Sequence, residues 1–457
     1  MIIDPKEIKY ELDKAIFFAN DKKKGPVWLD IPLDIQNSRI DEKNIKSFYK
    51  KHTIQKCSSN LIDKVFKELK FSKRPAVLIG SGIKNSNCER EFKKFINKFK
   101  IPVVHTSSGS SVLGSENKFS IGSLGSQGCS REGAFTVQNC DLLIVLGSRL
   151  NSLTIGPDTE KFARNAKKII VDIDKNEHTK NKIKNSKLIL SDLGFFLRKI
   201  NKKNKIPKWN SWINKTLNWK KTFESNDQLL GKTNKVNLYH LSEVFSDILP
   251  NDTIFICDSG FIDVILPTNI KFKKKQICIH PVSQGSMGFA LPSIIGAHST
   301  GKKNIVSVIG DGSIMMNLQE LQTLKHYNIP AKIFIINNNV YGIIRRRQKE
   351  LFRGRTIGTD QTNGITCPNF ENISKAFDIK YKLINSKKNL QSKVKNILRE
   401  KNTIICEILA DENQEYIEIG YSKNYNGKIV RRPLEDQKPF LDRDLFIKEM
   451  IIKAIDQ

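Results

Sequence analysis

Ile305-Val306-Ser307-Val308-Ile309-Gly310-Asp311-Gly312-Ser313, taken with Lys332-Ile333-Phe334-Ile335-Ile336-Asn337-Asn338-Asn339, is the stretch that decides the fold. Its first part is short, β-branched and ends in glycine, so it reads as a buried parallel strand that delivers Asp311 at its carboxyl end. Leu318, Leu321, Leu324 and Tyr327 then recur at helical spacing, Asn328 and Pro330 stop the helix, and residues 332–336 form the next strand. A right-handed strand-helix-strand unit lays its two strands parallel, so Asp311 and Asn338 leave the sheet at the same edge, where ligands of α/β folds bind. One carboxylate, one amide and a backbone carbonyl make the hard-oxygen set that Mg²⁺ uses together with phosphate oxygens. Gly312 lets a diphosphate approach the backbone, and a helix beginning near Asn317 offers it free N–H groups. A Gly-Asp-Gly turn or an Asn-rich turn alone is common in loops, and only the two in register across one unit point to a site.

Together these residues resemble the diphosphate-binding motif of thiamine-diphosphate enzymes, GDG…NN. The likeness continues upstream in Gln284-Gly285-Ser286-Met287-Gly288-Phe289-Ala290-Leu291-Pro292, which is similar to the G-x-M-G-(F/Y)-(A/G)-L-P segment of acetolactate-synthase-like members. The resemblance implies thiamine diphosphate and Mg²⁺ as cofactors. It places Asp311, Asn338 and the backbone carbonyl of Val340 on the metal, and Ser286, Met287, Gly310, Asp311, Gly312, Ser313, Asn338 and Gly342 at the cofactor. Methionine usually fills a gap in a core. The flanking Ser286, Gly288 and Leu291-Pro292 favour the family role for Met287, which is to prop the cofactor's two rings into a bent V. In the family that bend sets the cofactor's own 4′-imino nitrogen against its thiazolium C2 proton, and a 2-oxo acid is then decarboxylated. The remaining carbon is protonated or joined to a second carbonyl compound, giving a lyase or a transferase.

Beyond Asn338, residues 343–352 read as a helix over the site, with Gly342 turning the chain into it. Acetolactate synthases carry Trp where this chain has Arg347. Arg345, Arg346 and Arg347 either bind a carboxylate or phosphate of an acceptor or form a solvated helix face. The third unit as a whole, 236–431, is expected to be an α/β/α diphosphate-binding domain.

Residues 58–200 read as a Rossmann-like, parallel-sheet central domain, with strands at Ala76-Val77-Leu78-Ile79, Pro102-Val103-Val104, residues 141–147 and residues 168–174. Gly80-Ser81-Gly82 lacks the third glycine of the dinucleotide fingerprint. True acetolactate synthases carry FAD in this domain. The run Arg149-Leu150-Asn151-Ser152-Leu153-Thr154 departs from the flavin-holding pattern, so FAD is not expected. Gly122, Gly125 and Gly128 recur in an irregular loop, where they either line a cofactor or, as the commoner case, serve as plain loop glycines. Gly231-Lys232-Thr233 is no phosphate loop, because Asn226 stands where the first glycine is needed. Residues 201–235, with Trp209, Trp212 and Trp219, read as a surface linker.

Residues 4–20 form an amphipathic helix with Ile8, Leu12, Ala15, Ile16 and Ala19 on one face, and Val27-Trp28-Leu29-Asp30-Ile31 reads as a strand. One helix and one strand close no core. With Gly25-Pro26-Val27, Asp30-Ile31-Pro32 and Asp34-Ile35-Gln36, residues 1–36 resemble the last αβ unit of the family's pyrimidine-binding domain. The glutamate that activates the cofactor sits elsewhere in that domain in the family, and neither Glu7 nor Glu11 matches its context. No catalytic residue is therefore assigned beyond the supporting Met287. Residues 432–457 resemble the closing segment of acetolactate-synthase-like proteins.

The 457 residues carry a net charge of +30, 39% hydrophobic residues and eight cysteines. The lysines are spread along the whole chain and no nucleic-acid-reading motif is present, so nucleic acid is not the expected partner. The cysteines form no C-x-x-C pair, and no apolar run approaches the roughly 20 residues needed to span a bilayer. Reduced thiols, no membrane and a cytoplasmic location follow as expectations. The sequence thus predicts thiamine-diphosphate- and Mg²⁺-dependent decarboxylation or carboligation of a 2-oxo acid. A homo-oligomer, dimer or tetramer, or a partner that brings a pyrimidine-binding domain, is expected to complete the site. The competing readings are an inactive cofactor-binding remnant and a basic nucleotide- or nucleic-acid-binding protein.

Overall fold

The computed structural model describes residues 1–455 apart from 181, 205–206, 224–228, 232, 283, 303 and 424–425. Asn226 and Lys232, on which the phosphate-loop comparison turned, lie outside the described residues. The chain builds two six-stranded parallel sheets. The first is ordered β3-β2-β1-β4-β5-β6, from β1 (Pro75–Ile79), β2 (Val103–His105), β3 (Ser120–Ser123), β4 (Leu142–Leu146), β5 (Lys167–Asp172) and β6 (Ser186–Leu190). The second is ordered β11-β12-β10-β9-β7-β8, from β7 (Ile254–Cys257), β8 (Ile277–Ile279), β9 (Ile305–Gly310), β10 (Ala331–Asn337), β11 (Lys380–Ile384) and β12 (Ile404–Leu409). Every residue of β1, β4, β7 and β10 is buried, as expected for strands covered by helices on both faces.

The strand order fixes where ligands can sit. In the first sheet the chain runs outward from β1 to β3 on one side and from β4 to β6 on the other. The second sheet diverges in the same way between β7 and β9. The carboxyl ends of β1/β4 and of β7/β9 are therefore topological switch points, where neighbouring connections leave on opposite faces and open a crevice.

Several sequence expectations are corrected. Residues 27–31 form no strand. Their backbone meets no neighbouring strand: Asp30 O accepts from Ile2 N–H (2.8 Å) and Ile31 O from the Gln36 side-chain amide (2.6 Å), and Trp28 is 90% exposed. The Ile8–Asn20 helix forms as expected, yet its apolar face is only partly covered: Ile8, Ala15 and Ala19 are half-buried, Leu12 and Ile16 are exposed, and Phe17, packed on Phe48 and His52, is the buried residue of the helix. The tryptophan stretch is no surface linker. Asn210–Thr222 is a helix whose Trp212 and Trp219, with Trp209 before it, are buried in the first core. Their indole N–H groups donate to Pro75 O (2.8 Å), to Glu449 Oε2 (2.7 Å) and to Ser72 O (2.9 Å) respectively. Gly122 lies inside β3 rather than in a loop. The helix expected from Asn317 begins at Glu320, and a separate short helix, Asp311–Ile314, starts directly at the end of β9.

Candidate active site at the second switch point

The β9 and β10 strands pair in parallel with Ile336 opposite Gly310, which brings Asp311 and Asn338 to one edge. Asp311 is 3% exposed, and its carboxylate gathers the two halves of the motif. Oδ2 accepts from the backbone N–H of Asn338 (3.0 Å) and Asn339 (2.7 Å), and Oδ1 accepts from Gly312 N–H (2.7 Å). Burial pushes this carboxyl above its ordinary range, while the three amides pull it back. Asn338 folds its own loop, its Oδ1 accepting from Val340 N–H at 3.2 Å. Val340 bridges to Asp360, which steadies the turn into the Gly342–Leu351 helix.

A cavity of about 340 Å³ opens here, lined by Met287, Gly310, Asp311, Gly312, Ser313, Asn338, Val340 and Gly342 among others. Ile336, Ile343 and Ile344 supply apolar wall. The fold thus gathers seven of the eight expected cofactor residues and all three expected metal positions around one space. Ser286 is exposed and does not line it. Gly312 has a tight neighbour of its own: a Cβ there would lie 1.9 Å from the Tyr341 ring. That ring therefore shares with any ligand the close approach that glycine permits.

Sequence reasoning missed Asp258, at the carboxyl end of β7. It is 0% exposed, and its carboxylate accepts from Ser259 N–H (2.8 Å), Gly288 N–H (3.1 Å) and Ala290 N–H (2.7 Å). The Ser313 hydroxyl also reaches it. One buried carboxylate thereby ties the Met287 turn to the Asp311 segment. The turn needs Gly288, whose φ is +76° and where a Cβ would sit 2.7 Å from Met316 Cβ. The rule that located Asp311, a carboxylate ending a parallel strand before a glycine turn, applies equally to Asp258-Ser259-Gly260.

The three arginines beyond the site are engaged by the protein itself. Arg345 reaches Glu412 O (2.8 Å) and Arg346 reaches Glu415 (2.9 Å) and Glu418 (2.5 Å) while its guanidinium covers the Tyr416 ring. Arg347 pairs with Glu350 at 2.8 Å. The first two pin the Gly342–Leu351 helix to the segment 412–418 and form no solvated face, their side chains being only 11% and 20% exposed.

A second cavity, of about 390 Å³, occupies the switch point of the first sheet. It is lined by Gly80, Gly82, Gly147, Arg149 and Asp172, with Lys22–Lys24 also contributing.

Comparison with known proteins assigns both sheets. Residues 62–200 match the thiamine pyrophosphate enzyme central domain, and residues 258–408 match the C-terminal TPP binding domain of the same enzymes. The chain belongs to the thiamine pyrophosphate enzyme family. The site just described lies inside the family's TPP-binding domain. Acetolactate synthase large subunit of Porphyra purpurea is 28% identical over 425 residues, covering 90% of this chain and 71% of that protein. The large subunit from Lactococcus lactis subsp. lactis (strain IL1403) is 28% identical over 438 residues, 94% of this chain and 74% of that protein. The mitochondrial acetolactate synthase of Schizosaccharomyces pombe is 27% identical over 441 residues, covering 91% and 65%. Among the described residues no helix is long and apolar enough to cross a membrane.

Proposed function

We propose that the chain binds thiamine diphosphate with Mg²⁺ at the second switch point and serves the decarboxylation or carboligation of a 2-oxo acid. The observation that carries this reading is the buried Asp311 carboxylate clasped by the Asn338 and Asn339 amides at the mouth of the cavity. The residues fit the group. A carboxylate pushed up by burial is an electrostatic demand for a cation, and the apolar walls beyond it suit flat rings. Asp311, Asn338 and the Val340 carbonyl would hold the metal, the least carboxylate-rich set that Mg²⁺ accepts when phosphates complete its shell. Bound thiamine diphosphate supplies the electron sink that lets a 2-oxo acid lose CO₂.

The chain's own part is placement and exclusion. Asp258 fixes the turn bearing Met287, which then supports the rings from across the cavity. Buried Ile336 and half-buried Ile343 give the cavity an apolar wall that would favour the cofactor's rings over water. The Arg345 and Arg346 anchors hold the covering helix, so the acceptor's charge is met elsewhere. FAD forms no part of this reading. The exposed faces of the Ile8–Asn20 helix and Trp28 are where a partner bringing pyrimidine-domain structure would pack. Calorimetric titration with thiamine diphosphate and Mg²⁺ tests the assignment: Asp311→Ala and Asn338→Ala abolish binding, and undiminished affinity in either variant sinks it.

A further inference from the structure

Glu407 interrupts an otherwise apolar strand. β12 runs between β10 and β11, with Glu407 opposite Ile335 and Leu383, and its neighbours Ile404, Ile405, Cys406 and Ile408 are all buried. Strands covered on both faces read as continuous apolar runs, so a carboxylate here departs from the pattern. Glu407 is 8% exposed, and among the described residues no cation pairs with it. Burying a carboxylate without a cation costs stability, and a valine or isoleucine would pack this position without that cost. The reason for a glutamate lies in what it touches.

Glu407 Oε2 accepts from the Tyr381 hydroxyl of β11 (2.5 Å), and Oε1 accepts from Asn337 Nδ2 at the end of β10 (2.6 Å). The Asn337 amide thereby has one possible orientation, because its nitrogen must face the carboxylate. Its Oδ1 is then turned toward Asn339 N–H, which donates to it at 3.2 Å and to Asp311 Oδ2 at 2.7 Å. Asn339 has a φ of +57°, the left-handed conformation that turns the chain away from the strand and that asparagine tolerates. Asn338 and Val340, which flank it, are the two positions proposed above to hold the metal beside Asp311. Asp311 and Asn337 thus share the N–H of the left-handed residue, and Glu407 and Tyr381 fix Asn337.

We propose that Glu407 is a positioning residue of the metal site: acting through Asn337, it holds the 337–340 turn that carries Asn338 and the Val340 carbonyl, and so sets the preference of the site for a small divalent cation. The inference rests on the thiamine-diphosphate and Mg²⁺ reading given above and adds to it a residue that makes the loop rigid. Mg²⁺ is the cation that needs such rigidity. It tolerates little departure from octahedral ligation at short bonds, whereas Ca²⁺ accepts looser sets of ligands at longer ones. Residues that hydrogen-bond a ligand-bearing segment from outside the metal's own shell are what keep such ligands oriented.

The test titrates Mg²⁺ and, separately, Ca²⁺ into the full chain with thiamine diphosphate in excess, by calorimetry. Wild type is compared with Glu407→Gln, Asn337→Ala and the double variant, with melting temperatures of the metal-free proteins alongside. Glu407→Gln keeps the size of the side chain but meets one of its two donors with an amide nitrogen. It is expected to weaken Mg²⁺ binding about 10–100-fold and Ca²⁺ binding by less, so that the preference for Mg²⁺ shrinks. Asn337→Ala is expected to do the same, and the double variant to cost no more than the larger single effect, because the two residues act along one chain of bonds. Unchanged Mg²⁺ affinity in Glu407→Gln overturns the proposal even if the melting temperature falls, because a side chain that merely braces three strands behaves that way. Equal losses for the two ions, or losses that add in the double variant, overturn it as well. Should Glu407→Gln not fold, Glu407→Asp, which keeps the carboxylate but withdraws it from Asn337, is read by the same outcomes. Failure of the wild type to bind the cofactor with Mg²⁺ brings down the metal reading itself and the inference with it.

Discussion

Asp258 illustrates how much one buried carboxylate can organise. Its backbone partners come from two separate segments, and burial pushes it up while the amides of Ala290, Ser259 and Gly288 and the Ser313 hydroxyl hold it down. Asp258→Asn keeps the shape but replaces one acceptor oxygen by a donor that faces N–H groups, leaving a buried amide without its partner. The expected cost is about 1–3 kcal/mol in chemical denaturation, accompanied by weaker thiamine diphosphate binding by calorimetry. A variant with full stability and full affinity would show that the Met287 turn holds itself. Asp311 is the counterpart that could be found by reading, because its partner motif lies one strand away.

At the level of elements, the Asn210–Thr222 helix departs furthest from its sequence reading. Lysine and asparagine dominate its composition, which reads as a surface linker. Yet Trp219 is 0% exposed, meets Phe135 and Trp212 edge to face or tilted, and bonds Glu449 from the final helix. Trp219→Ala removes that packing and leaves Glu449 with Lys215 as its remaining partner. Destabilisation of about 3–5 kcal/mol is expected, read as a shift in the denaturant midpoint. A shift within experimental error would return the helix to the status of a surface linker. The helix periodicity was legible, but which face found a core depended on a tail more than two hundred residues away.

For the whole molecule, the contact between the two sheets' domains encloses a third cavity, of about 370 Å³. It is lined by His105, Ser130 and Glu132 from one side and Ser242, Lys271 and Phe272 from the other. What surface Glu132 retains faces this space, and burial pushes its carboxyl up to about 7, against the bond from Ser130 and the charges of Lys220 and Lys271. The folded state therefore holds a proton that the unfolded chain releases near 4.5. The contribution is complete below that value and is lost as pH rises through about 7. Thermal melts from pH 4 to 8 should show wild type losing stability relative to Glu132→Gln across this window, by at most about 3 kcal/mol. A constant difference between the two proteins across the range would contradict it.

The amino-acid sequence by itself determined the two parallel-sheet units, the strand ends bearing Asp311 and Asn338, and the Met287 segment. Each is local: a β-rich run ending in glycine, a helical period and a turn residue need no distant partner to be read. Residues 27–31 show the limit of that logic, since a strand-like composition forms no strand where no neighbouring strand offers hydrogen bonds. Only the tertiary structure decided that Asp258 binds the Met287 turn, that Arg345 and Arg346 anchor a helix instead of facing a substrate, and that Glu407 meets Asn337 beside the Asn338 turn. Those facts depend on which strands become neighbours. Strand order follows from burial of the whole sheet between its helices, and no short stretch of residues encodes that packing.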